Sequence, residues 1–342
     1  MALLEVSDLS VRFEGDEGAV QAVDGVSFEV RSGEVLAIVG ESGCGKSVTT
    51  MALLGLLPRS ARVDGAARFD GDVQLVGASE GQLRRIRGRE ISFVFQDPMT
   101  SLNPVFTVGR QVGEVLRRHL GMSKAQARER TIELLQLVGI PSPRERIDEY
   151  PHQLSGGMRQ RVMIAMAIAC EPKLLIADEP TTALDVTIQA AVLDVLRELR
   201  ERLEMAIVLI THDLGVVADT ADRVVIMYAG QKVEEAPVEE LFAHPEHPYT
   251  IGLLGAIPRA APAVLHVTNG SKREGRRRLV EIPGRVPAFE RPAEHCPFAD
   301  RCPRADERTR SEVPPLEAIR PGHLVACLHP GVHWQREEAG QA

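Results

Sequence analysis

The stretch VLAIVGESGCGKSVTT, residues 35–50, decides the fold. It begins with an apolar, β-branched run, Val35–Val39, that reads as a buried strand. The run leads directly into Gly40, Glu41, Ser42, Gly43, Cys44, Gly45, Lys46 and Ser47, with Val48 continuing into a helix. That is G-x-x-x-x-G-K-S in the strand-to-helix setting that gives the pattern its meaning. The glycines let backbone N–H groups wrap phosphates at the positive end of the helix starting near Lys46. The Lys46 ammonium can reach β- and γ-phosphates, and the Ser47 hydroxyl can ligate Mg²⁺. A mere glycine-rich turn would not need the lysine and hydroxyl that follow. The stretch predicts a nucleoside triphosphate site.

Two further segments carry polar groups at places where such a site needs them. KLLIADEP places Asp178 and Glu179 after four apolar residues, at the carboxyl end of a strand, where open α/β sheets bind ligands. Asp178 suits Mg²⁺ and Glu179 can accept the proton of an attacking water. Taken alone, the pair reads equally well as solvated strand-end charge. Leu154-Ser155-Gly156-Gly157-Met158 precedes a helical apolar pattern over 162–168. Ser155 is a candidate N-cap, and the glycines leave backbone donors uncovered, a second anion site or an ordinary capped helix start.

Composition sets outer bounds. The 342 residues are 44% hydrophobic and 26% charged, enough for one large domain plus something smaller. A net charge of −8 argues against a general nucleic-acid binder, which needs a basic surface. The basic run KREGRRR at 272–278 has no interleaved aromatics and reads as solvated linker. SVTTMALLGLLP is shorter than a membrane span, and MALLEVSDLS lacks the basic and apolar regions of a signal peptide. The expectation is a cytoplasmic chain, whose five cysteines stay reduced and whose clustered ones suit metal better than disulfides.

Taken together, these motifs resemble the ATP-binding cassette (ABC) family over roughly residues 3–258. Lys46 and Asp178 look like its Walker A and B residues, and Ser155-Gly156-Gly157 like its signature. Gln96 in SFVFQDP resembles the Q-loop, Asp185 in TTALD the D-loop, and His212 in VLITHDL the switch histidine. Phe13 fits the aromatic that stacks on adenine. The resemblance implies an α/β fold: a mixed-sheet core, an antiparallel β subdomain and a helical subdomain at about 97–165. It implies ATP and Mg²⁺ as ligands, with Ser47, Gln96 and Asp178 on the metal and Glu179, His212, Gln96 and Lys46 catalytic. It also implies a head-to-tail pair of cassettes, in which Ser155 and Gly157 act on the partner's ATP. Strands are expected at 6–13, 20–30, 174–178, 207–211 and 223–227, and helices at 108–120, 124–138 and 187–203.

One P-loop, one signature and no sustained heptad array set the chain apart from the family's repair and translation members. HPEHPYTIGLLGAIP (244–258), EIPGRVP (281–287) and DPMTSLNPVFTVGRQV after Gln96 resemble the dipeptide, oligopeptide and nickel importers. That resemblance implies peptide uptake, or failing that nickel or another small solute. The implied partners are a second cassette, identical or not, two multi-span permeases and an extracytoplasmic binding protein, at the cytoplasmic face of the membrane. A soluble ATPase that remodels nucleic acid or ribosomes is the reading from another class.

Residues 259–342 read as a C-terminal extension beyond a nucleotide-binding domain at 1–258, and they carry Cys296, Cys302 and Cys327. These spacings match no zinc knuckle. The importer resemblance implies a 4Fe-4S site of four cysteines, but Thr309 stands where the fourth is expected. His295, His323 or His329 could complete the set, for iron–sulfur or zinc; otherwise the cysteines pack as small apolar groups. A metal centre there would staple the tail and, lying far from the P-loop in sequence, is expected to take no part in hydrolysis. Cys44 reads as simply a small side chain in the loop; the alternative is a thiol activated by the helix N-terminus, open to alkylation and protected by bound ATP.

Overall fold

The computed structural model describes residues 2–15, 18–97, 101–182, 184–256, 282–287 and 289–331. The basic run at 272–278 lies outside the described residues. Two long antiparallel strands open the chain, β1 (Ala2–Gly15) and β2 (Gly18–Arg31), longer than the sequence pattern marked. Next come β3 (Val35–Val39), the helix Lys46–Leu53, β4 (Ala61–Phe69) and β5 (Val73–Gln74). Strands β2-β1-β4-β5, in that order, make a four-stranded antiparallel sheet.

The larger sheet adds β6 (Ile91–Val94), β7 (Leu174–Asp178), β8 (Ala206–Thr211), β9 (Arg223–Tyr228), β10 (Gln231–Pro237), β11 (Glu317–Arg320) and β12 (His323–Val325). Its order is β11-β12-β10-β9-β3-β8-β7-β6, with β9, β3, β8, β7 and β6 parallel and the other pairings antiparallel. The parallel strands are continuous apolar runs because both faces are covered. Period two still divides them. Val35, Ala37 and Val39 join the core that includes the helices, whereas Leu36 and Ile38 face the antiparallel sheet. Strand β7 splits alike, Leu175 and Ala177 to one side, Leu174 and Ile176 to the other.

Between β6 and β7 lie the helices Val108–Leu120, Lys124–Leu137, Pro143–Arg146 and Gly156–Ile168. Thr107 and Ser123 cap the first two, satisfying donors at their starts. Val112, Leu116, Leu135 and Ile164 are buried between these helices and the sheet. The helix Val186–Leu203 follows β7, and no helix among the described residues is long and apolar enough to cross a membrane.

The extension does not build a core of its own. Strand β12 pairs with β10 through Glu234 opposite Val325, so the tail widens the main sheet by two strands. Phe298 is 1% exposed and lies edge-on to Tyr228 at 5.1 Å, with Tyr249 at 5.6 Å. Burying one such ring contributes about 2 kcal/mol from area alone.

Candidate nucleotide site

Four parallel strands end at one rim, and each delivers one piece of the site. Val39 pairs with Thr211, and Asp178 pairs with Ile210, so the segments after β3, β7 and β8 emerge side by side. Gln96 follows β6 on the same edge. Open parallel sheets place their loops this way because all carboxyl ends point in one direction.

The phosphate loop is shaped by close backbone approach. A Cβ at Gly40 would lie 2.3 Å from the Met227 carbonyl oxygen, and one at Gly45 2.4 Å from that of Ala22. Gly45 also has φ of +99°. Lys46 Nζ donates to the carbonyls of Gly40 (2.7 Å) and Glu41 (3.0 Å), folding its stem over the loop. Ser42 and Gly43 are exposed at the loop's crest, while Ser47 and Val48 are half-buried. Cys44 is fully buried among Leu36, Ile38 and Leu53, and burial pushes its thiol up against the pull of Lys46. This fits the reading of Cys44 as a small packed side chain rather than a reactive thiol, although Lys46 Nζ lies 3.8 Å from its Sγ.

Glu179 is where the separate motifs meet. Its Oε2 accepts from Gln96 Nε2 at 2.9 Å and from the Thr182 hydroxyl at 2.7 Å. Its Oε1 lies 3.3 Å from His212 Nδ1. Burial raises this carboxyl, but the bonds from Thr182 and His212 and the charge of Lys46 outweigh it and hold it below the usual range. Its φ of +45° is strained for a side-chain-bearing residue, as is common where a functional group must be aimed. Sequence reasoning missed Thr182. The available signal was a hydroxyl three residues beyond a strand-end acid, in reach once the chain turns.

Asp178 faces a drier setting. Burial raises its carboxyl, the hydrogen bond with Ser47 and the charge of Lys46 oppose that, and Glu179 adds to it. Its Oδ1 is buried with no partner. A buried, unpartnered carboxylate oxygen beside a hydroxyl is a hard-oxygen donor set, so Asp178 and Ser47 fit a divalent cation such as Mg²⁺.

Ser155 caps its helix as the sequence predicts, accepting from Met158 N–H at 3.3 Å. Among the described residues no hydrogen bond joins Ser155, Gly156 or Gly157 to the phosphate loop of the same chain. They abut the 184–188 segment instead: a Cβ at Gly157 would lie 2.4 Å from Ile188 Cγ2. Asp185 accepts from Ile188 N–H at 3.0 Å as the cap of Val186–Leu203. Phe13 is half-buried on β1, paired with Val20 and Ala61.

Residues 23–182 match the ABC transporter family, and 233–308 match the oligopeptide/dipeptide transporter C-terminal region. The chain is 51% identical over 328 residues to the oligopeptide transport ATP-binding protein OppD of Salmonella typhimurium, covering 96% of this chain and 94% of the relative. Identity to the dipeptide transport ATP-binding protein DppD of Bacillus subtilis is 53% over 328 residues, 95% and 94% covered. The chain belongs to the ABC transporter family, in its oligopeptide/dipeptide branch. A solved dimeric ATP-binding cassette in a post-hydrolysis state with ADP and Pi superposes with a TM-score of 0.62 at 28% identity. That match spans 69% of this chain and 98% of the other. The fold of this cassette is thus an ABC ATPase fold.

The cassette's tail gives the metal expectation no support and fits the packed-cysteine alternative. Among the described residues no group of three or more His, Cys, Asp or Glu side chains is placed to hold a metal ion. None of the three candidate histidines supplies the missing ligand. His323 is buried on Glu234 Oε1 at 2.8 Å, His329 Nε2 pairs with Asp306 at 2.9 Å, and His295 lies edge-on to Phe289. Thr309 is buried, its hydroxyl donating to the Asp306 carbonyl and its own carbonyl accepting from Cys296 N–H. Burial pushes the Cys327 thiol up to about 11, with Cys296 and Cys302 adding to it. Burial likewise raises Cys296 and Cys302. All five cysteines are free. Cys296 and Cys302 pack against the main core as small apolar groups.

Proposed function

We propose that this cassette hydrolyses ATP to drive import of di- or oligopeptides through separate permease subunits. The observation that carries it is the Glu179 carboxylate, ionised and held by Gln96, Thr182 and His212 at the rim where the phosphate loop opens. In this reading Gly40–Ser47 and Val48 bind the phosphates through backbone N–H groups, with Lys46 turning from the loop carbonyls toward them. Glu179 takes the proton of the attacking water, and His212 orients that water and the γ-phosphate. Mg²⁺, when bound, supplies charge neutralisation on the phosphate oxygens; Asp178, Ser47 and Gln96 would hold it.

The signature abuts its own 184–188 segment and, among the described residues, makes no hydrogen bond with its own phosphate loop, which suits a head-to-tail pair: Ser155, Gly156, Gly157 and Asp185 of one cassette would complete the partner's site, and Phe13 would stack on adenine. The division into a nucleotide-binding domain at 1–258, with a helical subdomain at about 97–165, and an extension at 259–342 belongs to the same proposal. So do the two permeases, the extracytoplasmic binding protein and a station at the cytoplasmic face of the membrane. The peptide cargo rests on the relatives' names and on the matched C-terminal region. Affinity purification followed by reconstitution in vesicles tests it. Co-purifying multi-span subunits and peptide-dependent ATP turnover are expected; co-purifying DNA or ribosomes, with no permease, would sink the reading.

A further inference from the structure

Arg301 lies in the extension, 260 residues from the phosphate loop in sequence, yet its side chain is 6% exposed and grips that loop. Its Nη1 and Nη2 donate to Glu41 Oε2 and Oε1 at 2.9 and 3.0 Å, a two-pronged pairing that fixes orientation as well as charge. Its Nε donates to the Pro283 carbonyl at 2.6 Å, and the Tyr228 hydroxyl lies 3.4 Å from Nη1, so the guanidinium is itself held. The Glu41 N–H donates to the Tyr249 hydroxyl at 2.8 Å, anchoring the same residue's backbone. The Glu41 carbonyl is one of the two acceptors on which Lys46 rests. A chain of contacts therefore runs from the tail through Glu41 to the phosphate-binding lysine.

Glu41 is an odd residue at this position on charge grounds alone. It brings a carboxylate into a loop that must receive a triphosphate, and like charges at short range oppose binding. The tail answers with a buried guanidinium on that carboxylate. We infer that Arg301 is a positioning residue for nucleotide: it cancels the Glu41 charge and holds the loop in its phosphate-receiving shape, so the C-terminal extension is part of the ATP site. The inference rests on the proposed ATP-binding role.

The test measures MgATP affinity of the purified full chain by fluorescent-nucleotide displacement, with kcat and KM alongside and melting curves to confirm folding. Couplings between distinct groups are typically ~5–150-fold, and Arg301→Ala is expected to weaken binding about tenfold, raising KM with little change in kcat. Adding Glu41→Gln should recover most of that loss, because no uncompensated charge remains. Should Arg301→Ala fail to fold, Arg301→Lys, which keeps the charge but not the fork, is expected to bind more weakly than wild type by about threefold. Arg301 variants that bind nucleotide like wild type, or a loss that Glu41→Gln does not reverse, would overturn the inference. Wild-type chain that binds no MgATP would instead sink the nucleotide reading itself.

Discussion

Replacing Glu179 by Gln separates chemistry from architecture because the structure shows what each oxygen does. Oε2 accepts from Gln96 and Thr182, and Oε1 faces His212 Nδ1. A carboxamide can keep its oxygen on Gln96 and Thr182 and turn its NH₂ toward the His212 ring. The loss in folding stability is then about 1 kcal/mol, the difference between charge-assisted and neutral hydrogen bonds. The loss in rate is far larger. Removing a general base typically costs ~10²–10⁴-fold, about 3–5 kcal/mol of barrier. Glu179→Gln is therefore expected to bind MgATP like wild type and melt within a few degrees of it, while ATP turnover in the assembled complex nearly disappears. Persistent ATP should also trap the closed pair, visible as a stable dimer on gel filtration. Wild-type turnover in this variant would remove Glu179 as the base and leave the Gln96–Thr182–His212 junction a structural one.

Other outcomes follow from packing and charge. Gly157→Ala should weaken ATP-driven pairing of cassettes, since its Cβ would lie 2.4 Å from Ile188 Cγ2, and overpacking of this kind costs about 1–3 kcal/mol. Adding Ile188→Ala should restore pairing, read by light scattering with ATP, and no rescue would mean the glycine is needed for another reason. Cys44, buried with a raised thiol, should label with iodoacetamide more slowly than the half-exposed Cys170 or Cys302, as followed by peptide mass spectrometry. First labelling at Cys44 would show that the loop opens. Burial lowers the His323 imidazole, but its pairing with Glu234, aided by Glu240, outweighs that and leaves it raised. Stability from this pair is full below the unfolded value near 6.5 and is lost as pH rises through the folded one. The melting temperature should fall more steeply above neutral pH in wild type than in His323→Gln; parallel curves would exclude this pair as the source.

The nucleotide machinery was legible because its chemistry depends on local order. A phosphate loop needs glycines, a lysine and a hydroxyl within eight consecutive residues, so Gly40–Ser47 declares itself, and the strand before it is apolar because both its faces are buried. Elements with strong periodicity or caps, such as Val108–Leu120 and the Ser155-capped helix, were equally plain. Thr182 was not, since a lone hydroxyl in a turn carries no signal until the turn brings it to Glu179. The choice between a packed and a reactive Cys44 was open in the sequence for a related reason. Sequence places it at a helix start, but the direction of its side chain, into the core, is set by packing. The tail shows the limit most clearly. Its cysteines suggested a metal site remote from catalysis, whereas β12 joins the central sheet, Phe298 fills the main core and Arg301 reaches Glu41. Pairings across 260 residues leave no periodicity or spacing to read, because their geometry comes into being only when the sheet has formed and the chain has folded back upon it.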